Sequence, residues 1–552
     1  MSAALLIYGF FNAIWWGNAW DDMAITLGFA RTLADAGLVA PTPLSDPVEG
    51  TSSLLWMGLH AIIYKLHGHS ELLFHQAKYL CIAFLVLNAG LIFAVSVTCG
   101  ISKSLATLVS VSFSGSYVAI IESINGMENP LFLFLYCIVF ISYFNIYSRY
   151  YFSIFLISSS ALIFIRWEGI WFLLPFFLIN GWRFGYRGLF AAQHWLWVGL
   201  FAGQTLWRVL TFGDFIPNTV RAKAQAPYSP AAASDFGNAV ELRISTLLHE
   251  IVPFKAFLLI AACALALILA VQIMRAGKWL PAIRRLYDDV PWPIRLLAAI
   301  SIAGCIFAMF TGRDYWGYSG RMFFIAAPFL IALAAWLLQR SAETVYRRAA
   351  LPVIVMTLAT LFTVGGGITR AHQHLRSNAI TVTQVAQILP ALETAKRLTG
   401  QAKLTIAHSD LGALVLYGET IRVIDTALLC NPVLAKEGYT EFERQIFEKE
   451  QPGLIQTHGM WTTLSRIAEM GRLYADYVPL FVNGVRFFIR SELLKKIPTA
   501  RLQRRRFSPD GRTEDYSQDL LWTKHSGRAD FEINRQFGYY WVPVSQDLQS
   551  PR

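Results

Sequence analysis

Asp21 and Asp22 stand side by side directly behind the apolar run Leu5 to Trp20, a stretch about long enough to cross or nearly cross a bilayer. Adjacent carboxylates at a membrane face repel each other. Such pairs are usually kept where a cation, a proton or a positively charged transition state is handled. The plainer role is to end the first helix at the interface. What favours chemistry is that other ionisable residues gather on the same side of the membrane.

The elements that must position these carboxylates are membrane helices. The chain has 552 residues, 55% hydrophobic and only 15% charged, which excludes an ordinary soluble protein. Its net charge of +11 would suggest nucleic acid in a soluble domain, but here many Lys and Arg lie in short loops between apolar runs. Eleven candidate spans follow, at about 3–19, 72–99, 104–121, 129–147, 150–165, 168–181, 188–207, 252–274, 295–311, 321–339 and 350–368. The first lacks a basic leader and a small-residue cleavage site, so it reads as a retained anchor. Loops after the even-numbered spans carry Lys103, Arg149, Arg183 with Arg187, Arg275 to Arg295, and Arg340 to Arg348. By the positive-inside rule those loops and the N-terminus are cytoplasmic, and the C-terminus is outside. This phase requires two short spans with a tight external turn at Arg166–Trp167–Glu168–Gly169, since one long span would put Arg and Glu at mid-membrane. The run 52–65 is too short to span and reads as a helix at the outer interface.

On this topology the outward segments hold most of the polar residues of interest. They are Asp21, Asp22, Arg31, Asp46 and Glu49; Glu122 and Glu128; Arg166 and Glu168; Arg208, Asn218, Arg221 and Lys223; and Arg313, Asp314 and Arg321. A cavity with both carboxylates and cations suits a proton acceptor on one side and an anionic leaving group on the other, which is group transfer from a phosphate. Each residue also has a plain structural role. Glu128 is placed to cap a helix before Asn129–Pro130. Arg166 and Glu168 can pair across their turn. Phe215 to Thr219 can be an ordinary turn. Arg208, Arg221 and Lys223 can anchor lipid headgroups, and Arg321 can simply mark a helix start.

The motifs, taken in order, resemble those of the GT-C polyprenyl-phosphate glycosyltransferases, especially the terminal arabinofuranosyltransferases of mycobacterial cell walls. The resemblance begins at Asp21–Asp22, Arg31, Leu33–Ala34, Gly37 and Pro47–Val48–Glu49–Gly50–Thr51–Ser52–Ser53–Leu54–Leu55–Trp56. It continues through Gly126–Met127–Glu128–Asn129, the Arg166/Glu168 turn, and Gly213 to Lys223, which is similar to the family's G-D-x-x-P-N-T-x-x-A-K. Gly312–Arg313–Asp314 with Arg321, Asp410 with Gly412–Ala413, and Val423–Ile424–Asp425 complete it. Trp167 stands where the family turn usually has Pro, and the C-terminal region lacks an obvious carbohydrate-binding module. Shorter relatives that add arabinofuranose to pilin in Gram-negative bacteria match equally well.

The resemblance implies a GT-C fold in the bacterial cytoplasmic membrane. It implies transfer of a sugar, arabinofuranose first and a hexose as the alternative, from a polyprenyl-phosphate donor to an extracytoplasmic glycan or pilin-like glycoprotein. Asp21 or Asp22 would then accept the acceptor's proton or support the oxocarbenium-like sugar, while Arg208, Lys223, Arg313 and Arg321 receive the lipid phosphate. Glu49, Glu128, Arg166, Glu168, Asn218 and Asp314 would complete the substrate site. No cofactor is required. A divalent cation held by the Asp pair is the alternative, without a dedicated ligand set.

Residues 1–369 are thus expected to form the membrane domain, with the external loop 20–71, and 370–552 a soluble extracytoplasmic domain. Thr405–Ala407, Val423–Ile424, Phe481–Val482 and Phe487–Ile489 read as strands, and 379–398 and 462–474 as helices, so this domain is α/β. Asp410 and Asp425 lie at strand ends, where turn and capping roles outweigh catalysis. Arg501, Arg504, Arg505 and Arg506 read as a solvated face. Five of six cysteines fall in apolar spans and Cys430 stands alone, so no disulfide framework or zinc spacing is visible. A secondary transporter would show repeated hydropathy and polar groups at mid-membrane, whereas a non-catalytic lipid-binding protein would tolerate loss of the Asp pair.

Overall fold

The structure is a computed structural model that describes residues 1–17, 19–225, 228, 236–276, 288–310, 320–345, 350–377, 380–506, 527–535 and 537–542. Most of the expected spans fall on helices, but 104–121 divides between Lys103–Ser114 and Tyr117–Asn125, 188–207 crosses a break before Ala192, and the helix expected from 321 begins at Ala327; the chain then enters a sheet-containing C-terminal region. Among the described residues, Ser70–Thr98, Gly237–Arg275, Trp292–Phe310 and Ala350–Arg376 are long and apolar enough to cross a membrane. Lys103–Ser114 and Tyr117–Asn125, bent by 55°, make a fifth if taken as one span. Shorter apolar helices, Ser2–Trp15, Asn129–Phe144, Arg149–Ile165 and Gly169–Phe184, accompany them. The chain does break between the last two, where Arg166 takes an extended conformation. The helix that ends the membrane part, Ala350–Ser377, runs past the expected boundary at 369.

The segment 20–71 is more helical than its charges suggest. Helix α1, Ser2–Trp15, is only 14 residues long. Asp21 and Asp22 do not end it; they open a second helix, α2, Asp21–Ala36, whose first turn they occupy. Carboxylates are favoured there because the helix N-terminus carries partial positive charge. Gly37, at φ 68°, closes α2 with its N–H on the Leu33 carbonyl. Helix α3, Leu54–His67, starts at Ser53, whose hydroxyl accepts from the Trp56 N–H at 3.3 Å.

Seven strands form one sheet: β1 Leu404–His408, β2 Ile421–Asp425, β3 Leu454–Ile455, β4 Tyr477–Val482, β5 Val485–Arg490, β6 Gln503–Arg506 and β7 Gly538–Val542. Their spatial order is β2-β1-β3-β5-β4-β7-β6. β1 pairs in parallel with both β2 and β3, and β3 to β5 to β4 runs antiparallel. Because β1 leads outward in both directions, the carboxyl ends of β1 to β3 form a topological switch point.

The loop 20–71 belongs to the core of this C-terminal region. Met23, Leu27, Phe29, Val48, Met57 and Tyr64 share one buried cluster with Val385, Leu392, Ile406, Leu414, Val415 and Leu480. Two glycines permit the approach. A Cβ on Gly28 would lie 2.3 Å from a Val415 methyl, and one on Gly412 would lie 2.0 Å from the Asp21 carbonyl. A short backbone bridge, Trp20 to Thr381, ties the two segments beside this contact.

Candidate functional site

The two neighbouring aspartates point to different partners. Asp21 is buried and its carboxylate accepts from the backbone N–H of Gly412 (2.6 Å) and of Ala413 (3.0 Å), at the start of the helix Gly412–Tyr417. Burial, and then Asp410, push its pKa up to about 8, against the pull of those two N–H groups. Arg31, nearly three turns further along α2, is also buried and donates to the Val415 carbonyl at 3.2 Å, with Glu419 at 3.5 Å. So α2 grips that short helix at both ends. Asp22, by contrast, keeps 44% of its side chain exposed and faces Arg321, 3.7 Å away.

Behind Asp22 lies a layer of paired charges at the helix ends. Glu49, from the first loop, and Arg208, near the end of helix Ala192–Phe212, form a fork-to-fork pair: Nε meets Oε2, and Nη2 meets Oε1 at 3.0 Å. Burial raises the Glu49 pKa and Arg208 opposes it. Both side chains are buried, so removing one partner would leave an uncompensated charge. Arg166, held in the break between two helices, bridges Glu128 at 2.8 Å and Glu168 at 3.1 Å. Ser52 adds its hydroxyl to the same Glu128 oxygen at 3.2 Å. For Glu168, burial favours the neutral form, but Arg166 and then Lys223 overcome it and hold the pKa below the usual value. The same two glutamates outweigh burial at Arg166 and strengthen its charge.

Among the described residues, three neighbouring cavities that share wall residues lie in this layer, one wide and two of only about 20 Å³. The largest, about 480 Å³, is lined from the membrane part by Glu49, Arg208, Asp214 and Asn218 and from the C-terminal region by Pro432 to Lys449. Glu49 and Arg208 also wall a second cavity, with Ser52, Trp167, Thr219 and Lys223. The third shares Arg166, Glu168 and Lys223 with the second, then meets Arg321 and an apolar wall of Phe132, Phe172, Phe307 and Ile325. The lining thus changes from an open polar cleft to an apolar face between helices.

Of the expected site residues, Asp22, Glu49, Glu128, Arg166, Glu168, Arg208, Lys223 and Arg321 meet in this layer. Asn218 lines the cleft and donates to the Leu428 and Leu429 carbonyls at 3.3 and 2.6 Å. Asp21 turns away to Gly412. Arg313 and Asp314 lie outside the described residues. Of the other outward candidates, Asp46 pairs with Arg422 at 2.9 Å, Glu122 accepts from Asn129 at 2.6 Å, and Arg221 holds Asp214 at 2.6 Å. Among the described residues, no group of three or more His, Cys, Asp or Glu could hold a metal ion.

A further polar network, which the sequence reading did not assemble, occupies the carboxyl ends of β1 to β3. His458 meets Asp410 at 2.5 Å, while His408 accepts the Asp410 N–H at 2.9 Å and reaches Gln456 at 3.0 Å. Burial pushes the His408 pKa down to about 4. Asp425 takes the N–H groups of Ala427 and Cys430, both at 2.6 Å, the turn role expected of it, and burial lifts its pKa to about 7. A signal was present: Gln456–Thr457–His458 is a polar run directly after the apolar pair of β3. Arg504 to Arg506 lie on the edge strand β6, with Arg505 over the Trp541 ring at 3.8 Å.

No protein-family model matches the chain, and no curated protein matches it. Among solved structures, ArnT from Cupriavidus metallidurans bound to undecaprenyl phosphate is similar, at 12% identity and TM-score 0.51, over 82% of this chain and 91% of that one. The same protein in its apo state gives 12% identity, TM-score 0.48 and coverage of 85% and 94%. The first likeness shows a shared fold over most of both chains.

Proposed function

We propose that the chain is a membrane glycosyltransferase that moves a sugar, arabinofuranose by the resemblance of its motifs, from a polyprenyl-phosphate donor to an extracytoplasmic glycan or glycoprotein. The carrying observation is that Arg166, Lys223 and Arg321, with Glu168 among them, stand beside Phe132, Phe172 and Phe307 around a small cavity of about 20 Å³. Cationic and apolar walls side by side suit a phosphate joined to a hydrocarbon chain. The similar fold seen with undecaprenyl phosphate supports that ligand class. In this reading the N-terminus is cytoplasmic and the C-terminal domain extracytoplasmic, in a bacterial cytoplasmic membrane.

Asp22 is the reacting carboxylate. Glu49 and Glu128 are committed to Arg208 and Arg166, and Asp21 to backbone N–H groups, whereas Asp22 is half-exposed beside Arg321. The acceptor oxygen bonds the anomeric carbon as the carbon–oxygen bond to phosphate breaks, and the hydroxyl proton passes to Asp22. Negative charge grows on the departing phosphate, where Arg166, Lys223 and Arg321 stabilise it most strongly in the transition state. Mass spectrometry of a deletion strain tests the reading: an accumulated lipid-linked pentose, with a pentose missing from a surface glycan, is expected. An unchanged lipid-linked sugar pool would overturn it, and a lipid-linked hexose would change the donor.

A further inference from the structure

The open cleft of about 480 Å³ falls within the roughly 300–1,000 Å³ of small-molecule sites and is built from two walls that the chain ties together. Besides the Asn218 contacts, Gln225 donates to the Ala435 and Lys436 carbonyls at 3.0 and 3.1 Å, so the walls hold a fixed spacing. The lining charges cancel. Carboxylates Glu49, Asp214, Glu437 and Glu441 are matched by Arg208, Lys436, Arg444 and Lys449. Several are paired in place: Arg444 with Glu441 at 2.9 Å, Lys436 with Glu437 at 3.9 Å, and Glu49 with Arg208. Arg444 and Lys449 stand on a π-helical turn, Arg444–Glu450, a geometry frequent at functional sites.

Resting on the proposed transfer reaction, we propose that this cleft binds the acceptor, and that the acceptor end it holds is a short, uncharged, hydroxyl-rich saccharide. Paired charges offer donors and acceptors together, as vicinal hydroxyls require, while Phe212, Ile216 and Val433 offer surfaces for sugar C–H faces. An anionic acceptor end would call for surplus cations, and a basic peptide for surplus carboxylates; the cleft has neither. The Glu49–Arg208 pair borders both this cleft and the next cavity, on the side where the acceptor hydroxyl would meet the donor.

The test uses the full chain in nanodiscs and saturation-transfer NMR with three probes: an arabinofuranose trisaccharide, a uronic-acid trisaccharide and a basic peptide. The neutral trisaccharide should bind, and Arg444→Gln or Glu441→Gln should weaken it about tenfold, the loss of roughly one hydrogen bond to a charged group. Arg466→Gln, on an exposed pair elsewhere, is the control. Preference for the acidic probe or the peptide, or unchanged binding in both cleft variants, overturns the inference. Sugar release to water from a polyprenyl-phosphate donor is measured separately on the wild type. Its absence strikes the transfer reading, while the binding result still decides the cleft.

Discussion

Separating Asp21 from Asp22 by substitution divides chemistry from docking. Asp22→Asn keeps size and removes charge; its contact with Arg321 is half-exposed, so the stability cost should be at most about 1 kcal/mol. Loss of a general base lowers the rate by about two to four orders of magnitude, or roughly 2.7–5.4 kcal/mol at about 1.36 kcal/mol per decade. Asp21→Ala instead removes two buried carboxylate-to-N–H bonds. With a pKa of about 8 Asp21 is largely neutral at pH 7, so at about 0.5–1.5 kcal/mol each that is about 1–3 kcal/mol, against the roughly 5–15 kcal/mol that keeps a domain folded. Both variants would be purified into nanodiscs and followed by thermal unfolding, limited proteolysis near residue 380 and transfer from a synthetic polyprenyl-phosphate pentose. The expected pattern is a stable, nearly inactive Asp22→Asn and an unstable, protease-sensitive Asp21→Ala. The reasoning fails if Asp22→Asn keeps more than about a tenth of the activity, a loss well short of that range. It fails equally if Asp21→Ala is inactive yet as stable as the wild type.

Arg321→Ala should raise the donor Kd and lower kcat together, since a phosphate contact made at binding strengthens as charge develops; donor titration and initial rates separate the two. Arg208→Ala should destabilise by about 3–5 kcal/mol by leaving Glu49 buried and alone, whereas Glu49→Gln with Arg208→Met should recover most of that by denaturant unfolding. For pH, Asp21 has a folded pKa of about 8 above its ordinary 3.8, so its contribution is full below about pH 4 and lost as pH rises through 8. Asp425, at about 7, acts in the same sense, so the melting temperature should fall on going alkaline, and less steeply in Asp21→Asn. An alkaline phosphatase fused after residue 552 should be active and a cytoplasmic fluorescent reporter dark; the reverse pattern would invert the proposed orientation.

Apolar runs were legible because membrane spans leave few polar residues, and most expected runs fall on helices, although the bend inside 104–121 was not foreseen. The break at Arg166 was legible because Arg and Glu have no place at mid-membrane. The strands at Thr405–Ala407, Val423–Ile424, Phe481–Val482 and Phe487–Ile489 lie inside β1, β2, β4 and β5. What escaped were features set by partners distant in sequence. Asp21 and Asp22 read as a stop after a long apolar run, although acidic residues in a first turn equally mark a start. The partner that separates their roles, Gly412, lies 391 residues away. The pairing of Glu49 with Arg208 spans 159 residues, and nothing local to either announces it. The two-residue β3 is too short for any periodicity, so the polar run it positions at Gln456 to His458 stayed unassigned.

The shared core of α2, α3 and the sheet has a consequence for biogenesis. Residues near Asp21 emerge from the ribosome long before Gly412, and at about 5–20 residues per second the gap of 391 residues lasts on the order of 20–80 s. During that interval Met23, Leu27 and Phe29 lack the surface that later covers them. The nascent first loop is then a client for chaperones and an opening for proteases. A nonsense mutation late in the gene would therefore leave the beginning of the protein unfolded as well as its end.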